Sequence, residues 1–194
     1  MLKTSQQFTK YVFFKLLFII SLTFCLGMSF NPLQDLQVSI GQLVNAQASD
    51  VIQMEDVGIE LYKAGDFRGA IESWKPALNA YQKNRNRPHE VIVLEYMARA
   101  YQQLGEHEQA ISNWEPVVSY YRQIQDLPQM ARMETEQAQA YISLGQAEKA
   151  ISLLKEAVEI AHNYKDMPTK AAALSYLDDA YRLEGKYFLD EQIS

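Results

Sequence analysis

The chain has 194 residues, of which 48% are apolar and 22% charged, and it contains a single cysteine. This composition supports one ordinary hydrophobic core and excludes a collagen, a disulfide scaffold and a wholly disordered chain. Beyond residue 48 the chain carries 15 basic and 23 acidic residues, a formal charge of −8, which argues against a nucleic-acid partner. Cys25 alone cannot form an intrachain disulfide or a cysteine-based zinc site.

Residues 1–48 differ in composition from the rest and are predicted to be a signal peptide or an N-terminal membrane anchor. Residues 1–10 are polar and weakly basic, and residues 16–28 form an uncharged run rich in Leu, Phe and Ile. This order is typical of a bacterial export signal, although the run is short for a membrane span. We therefore expect export across the cytoplasmic membrane, into a periplasm, a lumen or the medium, or anchoring in that membrane. A buried N-terminal helix of a cytoplasmic protein is the alternative.

The sequence leaves open whether this leader is cleaved and where. Ala46, Gln47 and Ala48 have the small-x-small form that a signal peptidase accepts, but they lie farther from the apolar run than the usual short spacer. Gly27, Met28 and Ser29 form a weaker site in a better place. Phe24 precedes Cys25 where a lipoprotein signal needs a small residue, so lipidation is rejected. The sequence is compatible with a mature start near Ser49 and with an uncleaved anchor.

Several residue types recur at an interval of 40 residues in the remainder of the chain, which indicates an internal repeat. The clearest series are Gly65, Gly105, Gly145 and Gly185; Pro88, Pro128 and Pro168; Asn86, Asp126 and Asp166; and Ala70, Ala110 and Ala150. Asn and Asp are helix N-cap types, and a Pro two residues later suits the first helical turn. Each Gly suits a left-handed position at a helix C-terminus. Each unit is therefore predicted to be a pair of helices.

This pattern predicts three helical hairpins over about 50–84, 88–125 and 128–165, followed by a capping helix over 168–184 and a tail over 187–194. Apolar residues at helical spacing predict the buried face of each helix, with Trp74, Trp114 and Leu154 as core residues rather than a ligand cage. Pro76 and Pro116 fall inside the second helices of two hairpins, where proline removes a hydrogen bond, so these helices are expected to bend.

The same residues resemble the tetratricopeptide repeat, whose pattern is Tyr or Leu four residues before Gly, Ala five after it and a bulky residue four further on. The matching sets are Leu61, Gly65, Ala70 and Trp74; Tyr101, Gly105, Ala110 and Trp114; and Tyr141, Gly145, Ala150 and Leu154. The usual unit has about 34 residues. The surplus is expected in a longer second helix and its exit turn, as in kinesin light chains and in bacterial arrays that precede a caspase-like CHAT protease domain. The resemblance implies an all-α, right-handed α-solenoid.

No residue set indicates catalysis, a cofactor or a metal. His89, His107 and His162 are far apart in the sequence, and neither His89-Glu90 nor His107-Glu108 continues to a second His four residues on. Glycine-rich phosphate loops and a nucleophile elbow are absent from the sequence. We therefore expect a protein that is not an enzyme.

The resemblance implies that the first helices line a concave groove, and that this groove binds a protein or peptide partner. Projected onto this sequence, the groove residues are Glu55, Asp56, Ile59, Tyr62, Glu95, Tyr96, Arg99, Gln102, Arg132, Glu136, Gln139, Tyr176, Asp179 and Arg182. Tyr96, Arg99 and Arg132 are expected to matter most, because aromatic and Arg side chains dominate interface centres. The alternative is that these polar residues are merely solvated.

Two functions follow as expectations. The first is an exported or membrane-anchored scaffold or adaptor that binds its partner in the groove. The alternative is a sensor or regulatory fragment of a CHAT protease system. A chaperone co-receptor is disfavoured, because the Lys and Asn set that clamps a C-terminal carboxylate in such domains lacks its Asn here. The oligomeric state stays open.

Overall fold

A computed structural model describes residues 49–185 as seven α-helices, and no β-strand lies within that range. The helices are α1 (49–63), α2 (Phe67–Lys83), α3 (Arg87–Gln103), α4 (His107–Gln123), α5 (Leu127–Ser143), α6 (Ala147–Asn163) and α7 (Met167–Leu183). The all-α fold expected from the sequence is confirmed. The predicted signal or anchor over 1–48 and the predicted tail over 187–194 lie outside the described residues.

Three-residue turns separate all the helices, and each turn contains one residue with positive φ. Within the hairpins this residue is the recurring glycine, with φ of 82° at Gly65 and 73° at Gly105 and Gly145. Gly185, after α7, has φ of 74°. The left-handed position predicted for these glycines is confirmed. Between hairpins the same place is taken by L residues, namely Arg85, Gln125 and Lys165, with φ of 54°, 61° and 59°.

Polar caps begin the first helices as the sequence predicts, but not uniformly. The Asp126 carboxylate accepts a hydrogen bond from Gln129 N at 3.3 Å, and that of Asp166 accepts one from Thr169 N at 3.2 Å. Asn86 occupies the same place before α3 without a side-chain capping bond. The prolines that follow lie in the first turn, where the missing N–H leaves no helical bond unmade.

The 40-residue period comes from helices of equal length. Both helices of the second hairpin have 17 residues, and so do both helices of the third. The second helix of each of these hairpins is thus as long as the first, and the location of the residues in excess of the usual unit stays a prediction. Pro76 and Pro116 lie inside α2 and α4, which remain helical on both sides of each proline.

Small and bulky residues alternate in the core between the helices. Ala70, Ala110 and Ala150 have 0% exposure, and so do Trp74, Trp114 and Leu154, four residues further along. Small side chains let neighbouring helices approach, and the bulky ones fill the adjacent space. The predicted core placement of the two tryptophans and Leu154 is confirmed. From α2 onward each helix packs against the next, and α5 also contacts α7.

Candidate functional site

The first helices of the hairpins, α1, α3 and α5, together with α7, carry all of the predicted groove residues. Side chains from these helices contact one another across the hairpins, so the four helices present a shared surface. We call this surface the inner face and define it by Ile59, Tyr62, Ile92, Tyr96, Arg99, Gln102, Arg132, Glu136, Gln139, Tyr176 and Asp179. Ile92 is included because it lies 40 residues before Arg132, at the same place in its helix.

An aromatic cluster forms one end of the inner face. Tyr62 of α1 and Tyr96 of α3 have ring centroids 6.5 Å apart in an edge-to-face arrangement. Both rings contact Trp74, on which Tyr96 stacks at 5.5 Å. Phe67 packs edge-on to Tyr62 at 5.2 Å. Trp74 is buried while both tyrosines keep part of their surface exposed, so the cluster offers aromatic surface on a rigid base.

A charged network forms the centre of the inner face. Arg99 donates to Glu95 Oε1 within α3 and to Glu136 Oε1 of α5, both at 3.1 Å. Its guanidinium also lies over the Trp114 ring, 5.3 Å from the centroid. Burial by itself lowers the pKa of Arg99, but the two carboxylates outweigh burial and raise this pKa. Arg99 is therefore held in place between two hairpins.

Gln102 connects this network to the core. Its amide donates to the Glu136 carbonyl oxygen at 3.0 Å and to Gln139 Oε1 at 3.3 Å, both on α5. Its own oxygen accepts a hydrogen bond from Trp114 Nε1 at 3.2 Å. Gln102 thus positions α5 against α3 through polar contacts.

The last part of the inner face is formed by α5 and α7. Arg132 donates to Asp166 Oδ2 at 3.3 Å, at the N-terminus of α7. Hydrogen bonds from the Thr169 hydroxyl and backbone N–H, together with Arg132, hold the pKa of Asp166 below its usual range. Tyr176 is partly buried, and this burial raises its pKa, with smaller contributions from Glu136 and Asp179.

The remaining predicted groove residues lie apart from these contacts. The Glu55 carboxylate accepts a hydrogen bond from Tyr81 Oη of α2 at 2.7 Å. Glu55 therefore contacts the second helix of its own hairpin, where it supplies an acceptor for the hydroxyl of the buried Tyr81, and its place in the groove stays a prediction. Asp56 and Asp179 are exposed, and Arg182 pairs with Asp178 at 2.5 Å.

The sequence interpretation missed the apolar part of the inner face. Ile92 exposes 39% of its surface, and Ile52, at the same place in α1, exposes 54%. Ile92 and Ile52 lie 40 and 80 residues before Arg132, and this spacing could have identified them from the sequence. In the described range, 49–185, no group of three or more metal-ligating residues occurs. No helix within it is long and apolar enough to cross a membrane.

Comparisons with known proteins agree with this architecture. Residues 135–164, from the second half of α5 to the turn after α6, match the tetratricopeptide repeat model. No curated protein sequence matches the chain. Among solved structures, tetratricopeptide-like repeats of a putative kinesin light chain from Podosopora anserina are 24% identical, with a TM-score of 0.62, and the match covers 75% of each chain.

A second solved structure is the first tetratricopeptide repeat domain of Spaghetti (RPAP3), bound to the HSP90 peptide SRMEEVD. It is 17% identical with a TM-score of 0.55, and the match covers 71% of this chain and 94% of that one. The described residues therefore form an α-solenoid of tetratricopeptide repeats, and the resemblance drawn from the sequence is confirmed. Within that class, its helices are similar in arrangement to repeats of the kinesin light chain kind. This fold supports a protein-interaction scaffold.

Proposed function

We propose that the protein is a non-enzymatic adaptor that binds a segment of a partner protein on its inner face. The observation that carries this proposal is the aromatic surface of Tyr62 and Tyr96, fixed on the buried Trp74. The exposed Ile92 lies one helical turn before Tyr96 in α3. Rigid aromatic side chains next to apolar surface provide large contact area at low entropic cost. The peptide bound to the structurally similar domain of Spaghetti supports the same use of the fold.

The charges on the first helices indicate the chemistry of the partner. Every arginine of α3, α5 and α7 is already paired with a carboxylate: Arg87 with Glu90, Arg99 with Glu95 and Glu136, Arg132 with Asp166, and Arg182 with Asp178. Asp56 and Asp179, by contrast, form no ion pair within residues 49–185. We therefore expect a partner segment with apolar and basic residues, since a free carboxylate would find no unpaired guanidinium.

Two peptides test this charge preference against the full chain by fluorescence anisotropy. The acidic peptide SRMEEVD should not bind, because the arginines that could hold its carboxylates are neutralised. A peptide library selected on the protein should be enriched in Lys or Arg beside an aromatic or aliphatic residue. Binding of SRMEEVD, or selection of acidic peptides, would contradict the expected partner chemistry while leaving the adaptor role intact.

The adaptor role itself is tested by a matched pair of substitutions. Ile92→Glu places a charge on the inner face, whereas Ile124→Glu places one in the turn after α4, where Ile124 is 50% exposed. Both replace an exposed Ile, so their effects on stability should be similar and small. In pull-downs from native extract, Ile92→Glu should lose a partner that wild type and Ile124→Glu retain. Equal recovery by all three proteins would contradict binding on the inner face.

For location, we propose export or membrane anchoring through residues 1–48. The support is the uncharged apolar run over residues 16–28, preceded by a weakly basic segment. Fusion of residues 1–48 to a reporter that is active only outside the cytoplasm should give activity, and an inactive reporter would count against export. N-terminal sequencing of the extracted protein distinguishes a start near Ser49 from an intact anchor.

The alternative of a regulatory element in a CHAT protease system rests on the 40-residue period alone. It predicts a protease domain encoded beside this chain. Reading the adjacent DNA for an in-frame or frameshifted protease domain distinguishes the two functions, because the adaptor requires none.

A further inference from the structure

A carboxylate is buried between the second hairpin, α3 and α4, and the third hairpin, α5 and α6. The side chain of Glu134, in α5, has 0% exposure. Its Oε1 accepts a hydrogen bond from Arg122 Nη2 of α4 at 2.7 Å, whereas its Oε2 is buried without a hydrogen-bond partner. A buried carboxylate with one oxygen unpaired is costly when it is ionised, so this position is not explained by stability.

The position of Glu134 within the repeat is occupied by apolar residues in the other two hairpins and in α7. At intervals of 40 residues, Met54, Leu94 and Leu174 occupy the place of Glu134. The positions of its charged neighbours change as well: 40 residues before Arg122 and Glu156 the chain has Gln82 and Pro116. The charges are therefore specific to one junction in a chain whose other units place apolar residues there.

Two charged groups from the neighbouring helices act on Glu134 in opposite directions. Arg122 of α4 favours the ionised form through its hydrogen bond and charge. Glu156 of α6 disfavours it, and Arg122 divides its charge between the two acids, since it also lies 3.5 Å from Glu156 Oε2. Burial is the largest effect, followed by Glu156, and together they raise the pKa of Glu134 to about 7.

We propose that the junction between the second and third hairpins is a pH-responsive joint, closed while Glu134 is neutral and loosened when Glu134 ionises. The neutral acid needs no counter-charge, and its Oε1 still accepts the hydrogen bond from Arg122. The ionised acid keeps a single partner, Arg122, which is 53% exposed and therefore screened by water.

The joint is connected to the inner face through α5. Glu136, two residues after Glu134, holds Arg99 of α3, and Gln139 accepts from Gln102 of the same helix. Loosening the contact of α5 with α4 therefore changes how firmly these polar contacts hold α3 and α5 together. The inference is independent of the proposed partner, because it concerns the junction itself.

The test compares melting temperatures of the full chain, in a mild non-ionic detergent, for wild type, Glu134→Gln and Glu159→Gln at pH 5 and pH 8. Glu159 is an exposed acid of α6 and serves as the control. Between pH 5 and pH 8, the melting temperature of wild type should fall by about 5–10 °C more than that of Glu134→Gln. Glu159→Gln should follow wild type.

Hydrogen exchange locates the effect. Protection factors for amides of α5 and the turn before it should fall at least tenfold between pH 5 and pH 8 in wild type, and less in Glu134→Gln. Parallel pH dependence of wild type and Glu134→Gln, in melting and in exchange, would overturn the proposal. If Glu134→Gln does not fold, Glu134→Leu replaces it, since Leu94 fills the same place in the second hairpin.

Discussion

Gly58 and Trp74 pack so closely that we expect Gly58→Ala to destabilise the protein. Helix propensity alone predicts the opposite effect. Gly58 lies in α1, where replacing Gly by Ala would normally stabilise the helix by about 1 kcal/mol. A Cβ at this position would lie 2.1 Å from Trp74 Nε1 and 2.5 Å from its Cδ1. Trp74 is fully buried, so its ring cannot turn into solvent to make room.

The expected change in the free energy of unfolding follows from the contacts that the Trp74 indole would lose. Overpacking a filled core costs about 1–3 kcal/mol. Moving the ring also breaks the hydrogen bond from Trp74 Nε1 to the Glu55 carbonyl oxygen, 3.1 Å long, which is worth about 1 kcal/mol. After the propensity gain of about 1 kcal/mol, Gly58→Ala should lower the free energy of unfolding by about 1–3 kcal/mol.

The other hairpins show how the clash is avoided. In the second hairpin Ala98 occupies the place of Gly58, and there Trp114 Nε1 donates to Gln102 rather than to a backbone carbonyl. In the third hairpin the pair is Ala138 and Leu154, so the combination of Gly58→Ala with Trp74→Leu reproduces a pair that the chain already uses. In the Trp74→Leu background, Gly58→Ala should therefore stabilise by about 0.5–1 kcal/mol.

Urea unfolding of the four proteins of this cycle, followed by circular dichroism, measures the coupling. The reasoning predicts a change of sign for Gly58→Ala between the two backgrounds. A stabilising effect in the wild-type background, or the same effect in both, would refute it.

Four further substitutions test separate parts of the structure. Trp74→Ala should lower the free energy of unfolding by about 3–5 kcal/mol in denaturant titrations, and an unchanged curve would refute the core placement. The pKa of Glu134, about 7 when folded against an ordinary 4.5, implies stability lost as pH rises from 4.5 to 7, so Glu134→Leu should stabilise by about 3 kcal/mol more at pH 8 than at pH 4.5. An equal gain at both pH values contradicts this. Asp166→Ala should cost about 1–2 kcal/mol at pH 7 and less once pH falls through the lowered pKa of Asp166. Asn86→Ala, which removes no capping bond, should cost less than about 0.5 kcal/mol, and equal costs would show that the Asp166 bonds are unimportant.

The sequence predicts well those features of the repeat that depend on residues close together in the chain. Glycines at 40-residue spacing, with Asp and Pro at the following helix starts, indicate where each helix ends and the next begins, and Gly105 and Asp126 behave as predicted. The turns between hairpins were harder, because Arg85 and Gln125 adopt a positive φ that L residues rarely adopt. Backbone hydrogen bonds back to the preceding helix close both turns, from Asn86 N to the Tyr81 carbonyl oxygen and from Asp126 N to that of Tyr121.

The site was less predictable because its contacts join different hairpins. Glu136 lies 37 residues from its partner Arg99, and this pairing depends on how α3 and α5 stack. The hydrogen bond between Glu55 and Tyr81 joins the first and second helices of one hairpin, and the repeat pattern does not indicate it. Glu134 could have been noticed by aligning the units, since the corresponding residues are Met or Leu, but its burial and its unpaired oxygen become visible only in the structure.

Binding on the inner face is tested most directly by site-specific photocrosslinking in the native cell. A photoreactive amino acid replaces Ile92 in one protein and Ile124 in the other, so that each side chain samples one surface of the same chain. Residue 92 should give a covalent adduct of discrete size with a partner protein, and residue 124 should give none. Adducts from residue 124 alone, or from neither position, would contradict partner binding on the inner face.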